Sequence, residues 1–535
     1  MITQYFKKTD KPDISKTISD DSSTSSNSTD YIASTVSSDS KNSEKSDESL
    51  ETKVSKGEIK LTKDQLLALQ EIIDFITNPK RKSEKFYLLT GSAGTGKTFL
   101  VSFIYSILKT NYNIAFTAST NKAVNVLQAM YEKQHKTDST KETTSVQFYT
   151  IHRFMNSSRS IDKNGEAYFK FTEGKKGKKS DVVFVDEVSM IPDVLAQQLE
   201  VLKKYKKVIL IGDRAQLPPV NEIESKLFEW KIKQSNLAEI VRYRNNIVKL
   251  ANQLKGLIFQ NKKINIRSCE GDGVFLYKDK TDWLDSYYKN TSNSVILAYT
   301  NDQVRLYNDA IRKHELKITA GNRFEIGEKI MFNNFYKASH IVNDNPAKRG
   351  LANLAGVDYE LTMNYYTSYQ VHIKSCKSEN YVIDYTKMIQ ALKYDLQRTE
   401  KDPALLDELV KKLPNNIPIY YLITEGDYFV NNPVNYTALQ QNLDDLKSEF
   451  IKIKVLFSDL VVRDFWAFYY SELVDTFADV TYGYAMTVHK SQGSTYERVF
   501  IDMKDIIHKN PKERESFQCL YTAITRASGE IHVYY

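Results

Sequence analysis

Apolar residues in this chain follow two rhythms. Short unbroken runs occur at Phe86-Tyr87-Leu88-Leu89 and at residues 113–117, 182–186, 208–212, 295–299, 499–502 and 531–534. Runs without polar alternation are what strands covered on both faces of a parallel sheet require. Between them the spacing is helical. Leu66, Leu69, Ile72, Ile73 and Ile76 share one face of a helix opening at Leu61-Thr62-Lys63-Asp64-Gln65, with Thr62 as its N-cap, and residues 99–109 continue the pattern. Strands alternating with helices predict an α/β fold. The number of strands predicts two such domains, and the gap between residues 299 and 499 predicts an insertion.

Two stretches break the alternation. Residues 155–180, with Ala167-Tyr168-Phe169-Lys170-Phe171 and then Gly174-Lys175-Lys176-Gly177-Lys178-Lys179, read as a β-hairpin with a basic turn. A tip this dense in like charge usually faces water, though it would also suit a nucleic-acid contact or a nuclear-import patch. Residues 335–475 contain Tyr365-Tyr366-Thr367-Ser368-Tyr369 and Ile419-Tyr420-Tyr421-Leu422 among polar helical runs and read as an inserted small β domain. Residues 1–57 are Ser, Thr, Asp and Lys with almost no apolar content, and such a segment is predicted to be disordered.

Composition narrows the picture without deciding it. At 535 residues the chain holds several domains, and 41% hydrophobic content fits folded cores. No apolar run approaches the length of a membrane span and the start has no signal-peptide core, so an intracellular, soluble protein without a membrane partner is expected. Cys269, Cys376 and Cys519 lie far apart, which indicates neither a disulfide framework nor a zinc site. The net charge is +7; residues 1–57 hold eight lysines against ten carboxylates, so the remainder carries +9, that is +7 minus −2. This favours a nucleic-acid partner, but the excess is lysine in a chain also rich in Asn, Ile and Tyr, as an A/T-rich coding sequence produces.

The chemistry begins after the first run. Gly91-Ser92-Ala93-Gly94-Thr95-Gly96-Lys97-Thr98 matches G-x-x-x-x-G-K-[ST] between a strand and a helix, the setting in which backbone N–H groups cradle nucleotide phosphates. Lys97 would reach the outer phosphates and Thr98 would ligate Mg²⁺. Asp186 and Glu187 end an apolar strand and suit completion of the metal shell and orientation of the attacking water, respectively. Gln216, within Gly212-Asp213-Arg214-Ala215-Gln216-Leu217-Pro218-Pro219-Val220, is placed to sense the γ-phosphate through its amide. These features alone indicate an NTPase.

In order, the phosphate loop, Asp186-Glu187-Val188-Ser189-Met190 and the Gly212 to Val220 run are followed by Glu239-Ile240-Val241-Arg242 and Ala298-Tyr299-Thr300-Asn301. Val488-His489-Lys490-Ser491-Gln492-Gly493-Ser494-Thr495 and Tyr521-Thr522-Ala523-Ile524-Thr525-Arg526-Ala527 close the series. From about residue 60 to the end the chain resembles a superfamily 1B DNA helicase of the RecD/Dda type. The resemblance implies two RecA-like parallel-sheet domains with an inserted β-hairpin and an inserted SH3-like β domain. The expected division is a tail at 1–57, a first domain at 58–235, a second at 236–334 and 476–535, and the insert at 335–475.

The same resemblance implies an ATP- and Mg²⁺-dependent motor that moves 5′→3′ on single-stranded DNA and unwinds duplex DNA in replication, recombination or repair. It makes Gln65 the reader of adenine and Arg242 and Arg526 the two arginine fingers, and it places Gly493 where it feels γ-phosphate and DNA together. Contacts to nucleic acid are implied for Thr120, Asn121, His152, Phe154, Thr300, Asn301, Thr487 and His489, with Ser119 standing where the family usually has proline. Trp466 could stack on a base, although a core position suits a tryptophan better. Ile2, Tyr5 and Phe6, followed by Lys7 and Lys8, resemble the second half of a PCNA-type sliding-clamp box without its leading glutamine, and read equally as an apolar start. A monomeric motor in the nucleus or at a site of DNA replication is the expected setting. Three alternatives stay open: a motor of the same fold on RNA, a clamp-tethered ATP switch that barely unwinds, and the motor subunit of a nuclease complex.

Overall fold

Thr62 caps the first helix, α1 (Lys63–Thr77): its hydroxyl accepts from the Gln65 N–H, and the Gln65 side chain accepts from the Thr62 N–H. This reciprocal box fixes where the helix begins. Leu69, Ile72, Ile73 and Ile76 are buried along one face, as their spacing dictates. The computed structural model describes residues 61–535 except 136–145, 156, 172–179, 205–206, 242–245, 261, 263–264, 317–322 and 341–361. The tail at 1–57, with Ile2, Tyr5 and Phe6, lies outside the described residues, as do Arg242 and Lys175 to Lys179.

The first α/β unit is a six-stranded parallel sheet of order β3-β2-β6-β7-β1-β8. Its strands are β1 (Phe86–Gly91), β2 (Ile114–Ala118), β3 (Val146–Thr150), β6 (Val182–Asp186), β7 (Lys207–Gly212) and β8 (Lys233–Leu237). The helices α2 (Lys97–Leu108) and α3 (Asn121–His135) follow β1 and β2. Leu89, Leu100, Ile104, Phe116 and Ile209 belong to one apolar layer and Leu88, Val183, Val185 and Leu210 to another, so both faces are covered.

The second unit is a five-stranded parallel sheet of order β18-β10-β19-β20-β9. Its strands are β9 (Val274–Tyr277), β10 (Ser294–Ala298), β18 (Ala485–Thr487), β19 (Tyr496–Asp502) and β20 (Ala527–Tyr534). They are joined by α4 (Asn246–Gln260) before β9, α5 (Asn301–Glu315) after β10 and a later helix at Glu513–Ile524. No helix among the described residues is long and apolar enough to cross a membrane.

The insertion differs from a small β domain. Its antiparallel sheet has seven strands in the order β13-β12-β16-β15-β14-β11-β17. Besides β12 (Tyr336–His340), β13 (Thr362–Tyr365), β14 (Gln370–Tyr381), β15 (Ile417–Thr424) and β16 (Tyr428–Pro433) it recruits β11 (Lys329–Phe332) and β17 (Val480–Tyr482) from beyond residues 335–475. It also carries a helical body: α6 (Thr386–Arg398), α7 (Tyr436–Ile453) and α8 (Asp459–Phe468) enclose Leu392, Leu396, Leu446, Phe450, Phe465 and Trp466. Trp466 is 2% exposed and is therefore a core residue, not a base-stacking one. The helix labelled last, α9, is Glu513–Ile524.

The first unit's hairpin pairs β4 (Ser157–Ile161) with β5 (Ala167–Phe171). It turns at residues 162–166, not at the basic stretch: Asp162 Oδ1 accepts from the Asn164 and Glu166 N–H groups at 2.8 Å each. Gly165, at φ +74°, lies flat on the Trp466 indole, and a Cβ there would fall 2.5 Å from a ring carbon. Trp466 Nε1 donates to Lys163 O at 3.3 Å and Tyr470 OH to Gly165 O at 2.6 Å. The hairpin is thus seated on the helical body of the insertion.

Candidate nucleotide cleft and adjoining groove

The β1 strand delivers the chain into residues 91–96, and α2 starts at Lys97 with Gly96 as its N-cap in the left-handed region, φ +78°. A side chain at Gly96 would collide with Gln65, whose Nε2 lies 2.6 Å from the Cβ position. The loop is preformed: Thr95 Oγ1 donates to Ser92 O at 2.9 Å, and Lys97 Nζ donates to Gly91 O at 2.8 Å and Ser92 O at 3.0 Å. Both Gln65 amide ends are engaged, Nε2 donating to Thr95 O at 3.0 Å and Oε1 accepting from Thr62 N. In this structure Gln65 braces the loop with one amide hydrogen and one oxygen lone pair, which leaves a second N–H and a second lone pair on the amide.

A cleft of about 260 Å³ opens on the loop. Gly94, Lys97, Thr98, Asp186, Glu187 and Gln216 line it from the first unit, and residues 493–495 with Arg526 from the second. Glu187 takes the left-handed conformation, φ 53°, uncommon for a residue with a side chain, and its N–H donates to Asp186 Oδ1 at 2.8 Å. Burial, and then the Glu187 carboxylate, push Asp186 well above the usual carboxylate range, with the Lys97 ammonium opposing. A half-buried carboxylate pair lining the same cleft as the Thr98 hydroxyl is the donor set a hard divalent cation takes. Gln216 is buried, and its side-chain oxygen has no hydrogen-bond partner among the described residues. Arg526, 6% exposed, donates among the described residues to neutral acceptors: Thr522 O, Ser494 O and Thr525 Oγ1. Val241, the neighbour of Arg242, lines the cleft and donates its N–H to Gly94 O at 2.9 Å.

Next to the cleft runs a groove of about 420 Å³ that both units and the insertion line. Residues 119–122, Pro218 to Val220, Tyr366 to Ser368, His489, Lys490 and Gln492 form its walls. Burial holds His489 below the ordinary histidine range, so it is neutral at pH 7, and its ring centroid lies 6.0 Å from that of Tyr299.

Two family descriptions match the chain: "AAA domain" over residues 78–222 and "UvrD-like helicase C-terminal domain" over residues 482–534. An uncharacterized protein of Acanthamoeba polyphaga mimivirus is 28% identical over 509 residues, covering 88% of this chain and 98% of its own. The ATP-dependent DNA helicase dda of Enterobacteria phage T4 is 24% identical over 478 residues, 85% of this chain and 95% of its own. These matches show an ATP-driven DNA helicase, similar to the RecD/Dda type of superfamily 1B. Among solved structures, a Pif1 helicase from Bacteroides in complex with ADP-AlF3 and ssDNA aligns over 89% of this helicase and 92% of its own chain, with 17% identity and a TM-score of 0.43.

In this helicase the expected strand-contacting residues separate into two groups. Thr120, Asn121 and His489 meet in the groove, and Asn301 is exposed at the start of α5. Phe154 is a correction: it is 0% exposed, inside the apolar layer with Ile151 and Val183. The Thr300 and Thr487 hydroxyls are N-caps, accepting from Gln303 N and Lys490 N, and Thr300 also donates to Asp505 Oδ1 at 3.0 Å. The Thr300 proton is committed to Asp505, whereas the Thr487 hydroxyl, accepting from Lys490 N, keeps its proton for a further acceptor. His152 is half-buried on the short helix Ile151–Phe154, and burial lowers its pKa.

Several residues of the helicase site had carried no assignment. Along one face of α9, Gln518 Nε2 donates to Gln216 O at 3.3 Å, Tyr521 OH to Asp213 Oδ2 at 2.8 Å, and Thr522 Oγ1 accepts from Leu217 N at 3.0 Å. The same Asp213 oxygen accepts the Ala93 N–H at 2.9 Å. The second unit therefore holds both the Gln216 segment and the phosphate loop through the helix that ends next to Arg526. Lys255 of α4 reaches the loop as well, donating to Ser92 Oγ at 2.6 Å. The i, i+3, i+4 spacing of Gln518, Tyr521 and Thr522 was the available signal. Tyr366, with the exposed Phe335 ring 5.7 Å away, adds an aromatic pair at the groove.

Proposed function

We propose that the protein is an ATP-dependent DNA helicase that travels 5′→3′ on single-stranded DNA and opens duplex ahead of it. One observation carries this reading: the cleft and the groove are adjacent and each is lined by both α/β units. ATP fits the cleft with its outer phosphates at Lys97, where a guanidinium from the other unit, Arg526, counters charge on the transferring phosphoryl group. Glu187 orients and deprotonates the attacking water, and Gln216 senses the γ-phosphate. Thr98 and Asp186 would hold Mg²⁺, which when bound neutralises the phosphate oxygens. Hydrolysis then depends on how closely the units approach, and a strand in the adjoining groove feels each approach.

The RecA-like character of the two units, an SH3-like identity for the inserted sheet, and the boundaries at 58–235, 236–334 with 476–535, and 335–475 belong to the same proposal. So do Arg242 as a second finger and docking of Ile2, Tyr5 and Phe6 on a sliding clamp. ATPase measured with and without single-stranded DNA or RNA tests the reading. DNA stimulation that Lys97→Ala abolishes is expected; stimulation by RNA alone would move the motor to the other nucleic acid. ATPase without strand displacement would favour the switch. Equal recovery of the clamp by wild type and an Ile2→Ala/Tyr5→Ala/Phe6→Ala chain would remove the docking proposal.

A further inference from the structure

Beside the cleft lies a second recess, about 510 Å³, between the first turn of α3, the turn at residues 366–370 and residues 493–496. It shares Val126 and residues 493–495 with the cleft, so the two spaces are continuous at the end where Arg526 sits. Its charged wall is Lys122. The ammonium makes one hydrogen bond among the described residues, to Ser368 O at 3.3 Å. Burial, and then the charge of Arg526, push its pKa down to about 8. Neither Lys122 nor Arg526 has a carboxylate partner among the described residues. Lys122 lines the recess and Arg526 the cleft on either side of the shared residues 493–495, and two partly buried cations flanking one passage are costly unless an anion comes between them.

We propose that this recess is the exit site for the phosphate released by hydrolysis, held between Lys122 and Arg526. The inference rests on the reading of the cleft as an ATPase site. Inorganic phosphate is the anion generated next to Arg526, and the recess opens from that end of the cleft. Because Lys122 otherwise donates to Ser368, a phosphate arriving there competes for its protons and loosens the turn at 366–370, which also walls the groove. Product departure is thereby felt by the insertion and by the strand beneath it.

Lys122 also lines the groove, so the same chemistry has a second source, a phosphate of the nucleic-acid backbone. The test uses the full chain with ADP and Mg²⁺, radiolabelled inorganic phosphate in equilibrium dialysis, and wild type, Lys122→Met and Lys122→Arg. Lys122→Met is expected to bind phosphate at least tenfold more weakly, with Lys122→Arg restoring most of the affinity. The salt slope of single-stranded DNA binding stays unchanged in the same variant. Unchanged phosphate binding with a slope reduced by about 0.7 would assign Lys122 to the DNA backbone and overturn the proposal. No change in either would leave Lys122 as a brace for Ser368, and no phosphate binding by wild type would equally overturn it. Dialysis needs no turnover, so a chain that binds phosphate without hydrolysing ATP would fail the ATPase reading alone.

Discussion

The seat of the hairpin on the insertion gives a prediction whose size follows from the contacts. If the hairpin is the element that parts the strands, loosening it should uncouple unwinding from hydrolysis. Its turn is held by the Gly165–Trp466 face contact and the hydrogen bonds of Trp466 and Tyr470. The ion pairs Lys163–Asp459 and Lys447–Glu166 also bridge the two bodies. Each hydrogen bond contributes about 1 kcal/mol and each exposed pair about 0.5 kcal/mol. With about 1 kcal/mol for the ring contact, docking totals about 4 kcal/mol. Trp466→Ala is a poor probe because the indole also fills the helical core, where its loss costs about 3–5 kcal/mol. Gly165→Val/Tyr470→Phe is cleaner. A Cβ at φ +74° costs about 1–2 kcal/mol and meets the indole, and the lost hydroxyl costs about 1 kcal/mol more. With the ring contact, about 1 kcal/mol, displaced as well, the docked state keeps an advantage of only about 0–1 kcal/mol. At that margin the docked hairpin is populated only about 50–85% of the time, so single-turnover displacement of a forked duplex should slow by up to about twofold, while ATPase stimulated by single-stranded DNA is unchanged. Hydrogen exchange should show faster exchange at residues 157–171. Unwinding unchanged despite that faster exchange, or unwinding and ATPase falling together, would refute the reasoning.

Tyr521→Phe removes a hydrogen bond to the buried Asp213 carboxylate, worth about 1.5–3 kcal/mol. A fall of about tenfold or more in kcat with KM for ATP within about threefold is expected, and an unaltered kcat would exclude the coupling role of α9. His489→Ala should weaken single-stranded DNA binding several-fold without changing its salt slope, because burial keeps the imidazole neutral at pH 7. A change of slope measured by fluorescence anisotropy would contradict that. Lys122 is pushed from 10.5 to about 8 in the folded chain, so its charged form opposes folding fully below pH 8 and progressively less between 8 and 10.5. Lys122→Met should therefore be more stable than wild type at pH 7, by up to about 3 kcal/mol, with the difference fading towards pH 10.5 in urea titrations.

The parallel strands were legible because a strand covered on both faces leaves an unbroken apolar run; residues 182–186 coincide with β6. The strand β8, Lys-Gln-Ser-Asn-Leu, was not legible, because it is an edge strand whose exposed side chains leave no such run. In the insertion, Leu439, Leu443, Leu446 and Phe450 had helical spacing, but their partners on α6 and α8 are distant in sequence and only the fold assembles that core. The phosphate loop, Asp186, Glu187 and Gln216, marked out by residue type and spacing, line one cleft with Arg526, which only the resemblance had singled out. Tyr521, Asp213, Lys255 and Lys122 act through contacts across units, which no local pattern encodes. Phe154 misled for the converse reason: a short motif gives the residue and not the side of the sheet it faces.

Strand displacement under single-turnover conditions, on duplexes carrying either a 5′ or a 3′ single-stranded DNA tail, addresses the central claim most directly. Wild type should displace only the 5′-tailed duplex, and only with ATP and Mg²⁺; Lys97→Ala, lacking the ammonium at the phosphate loop, should displace neither. Displacement confined to the 3′-tailed duplex would contradict the direction of travel, and displacement by Lys97→Ala equal to wild type would contradict the cleft as the source of the motion.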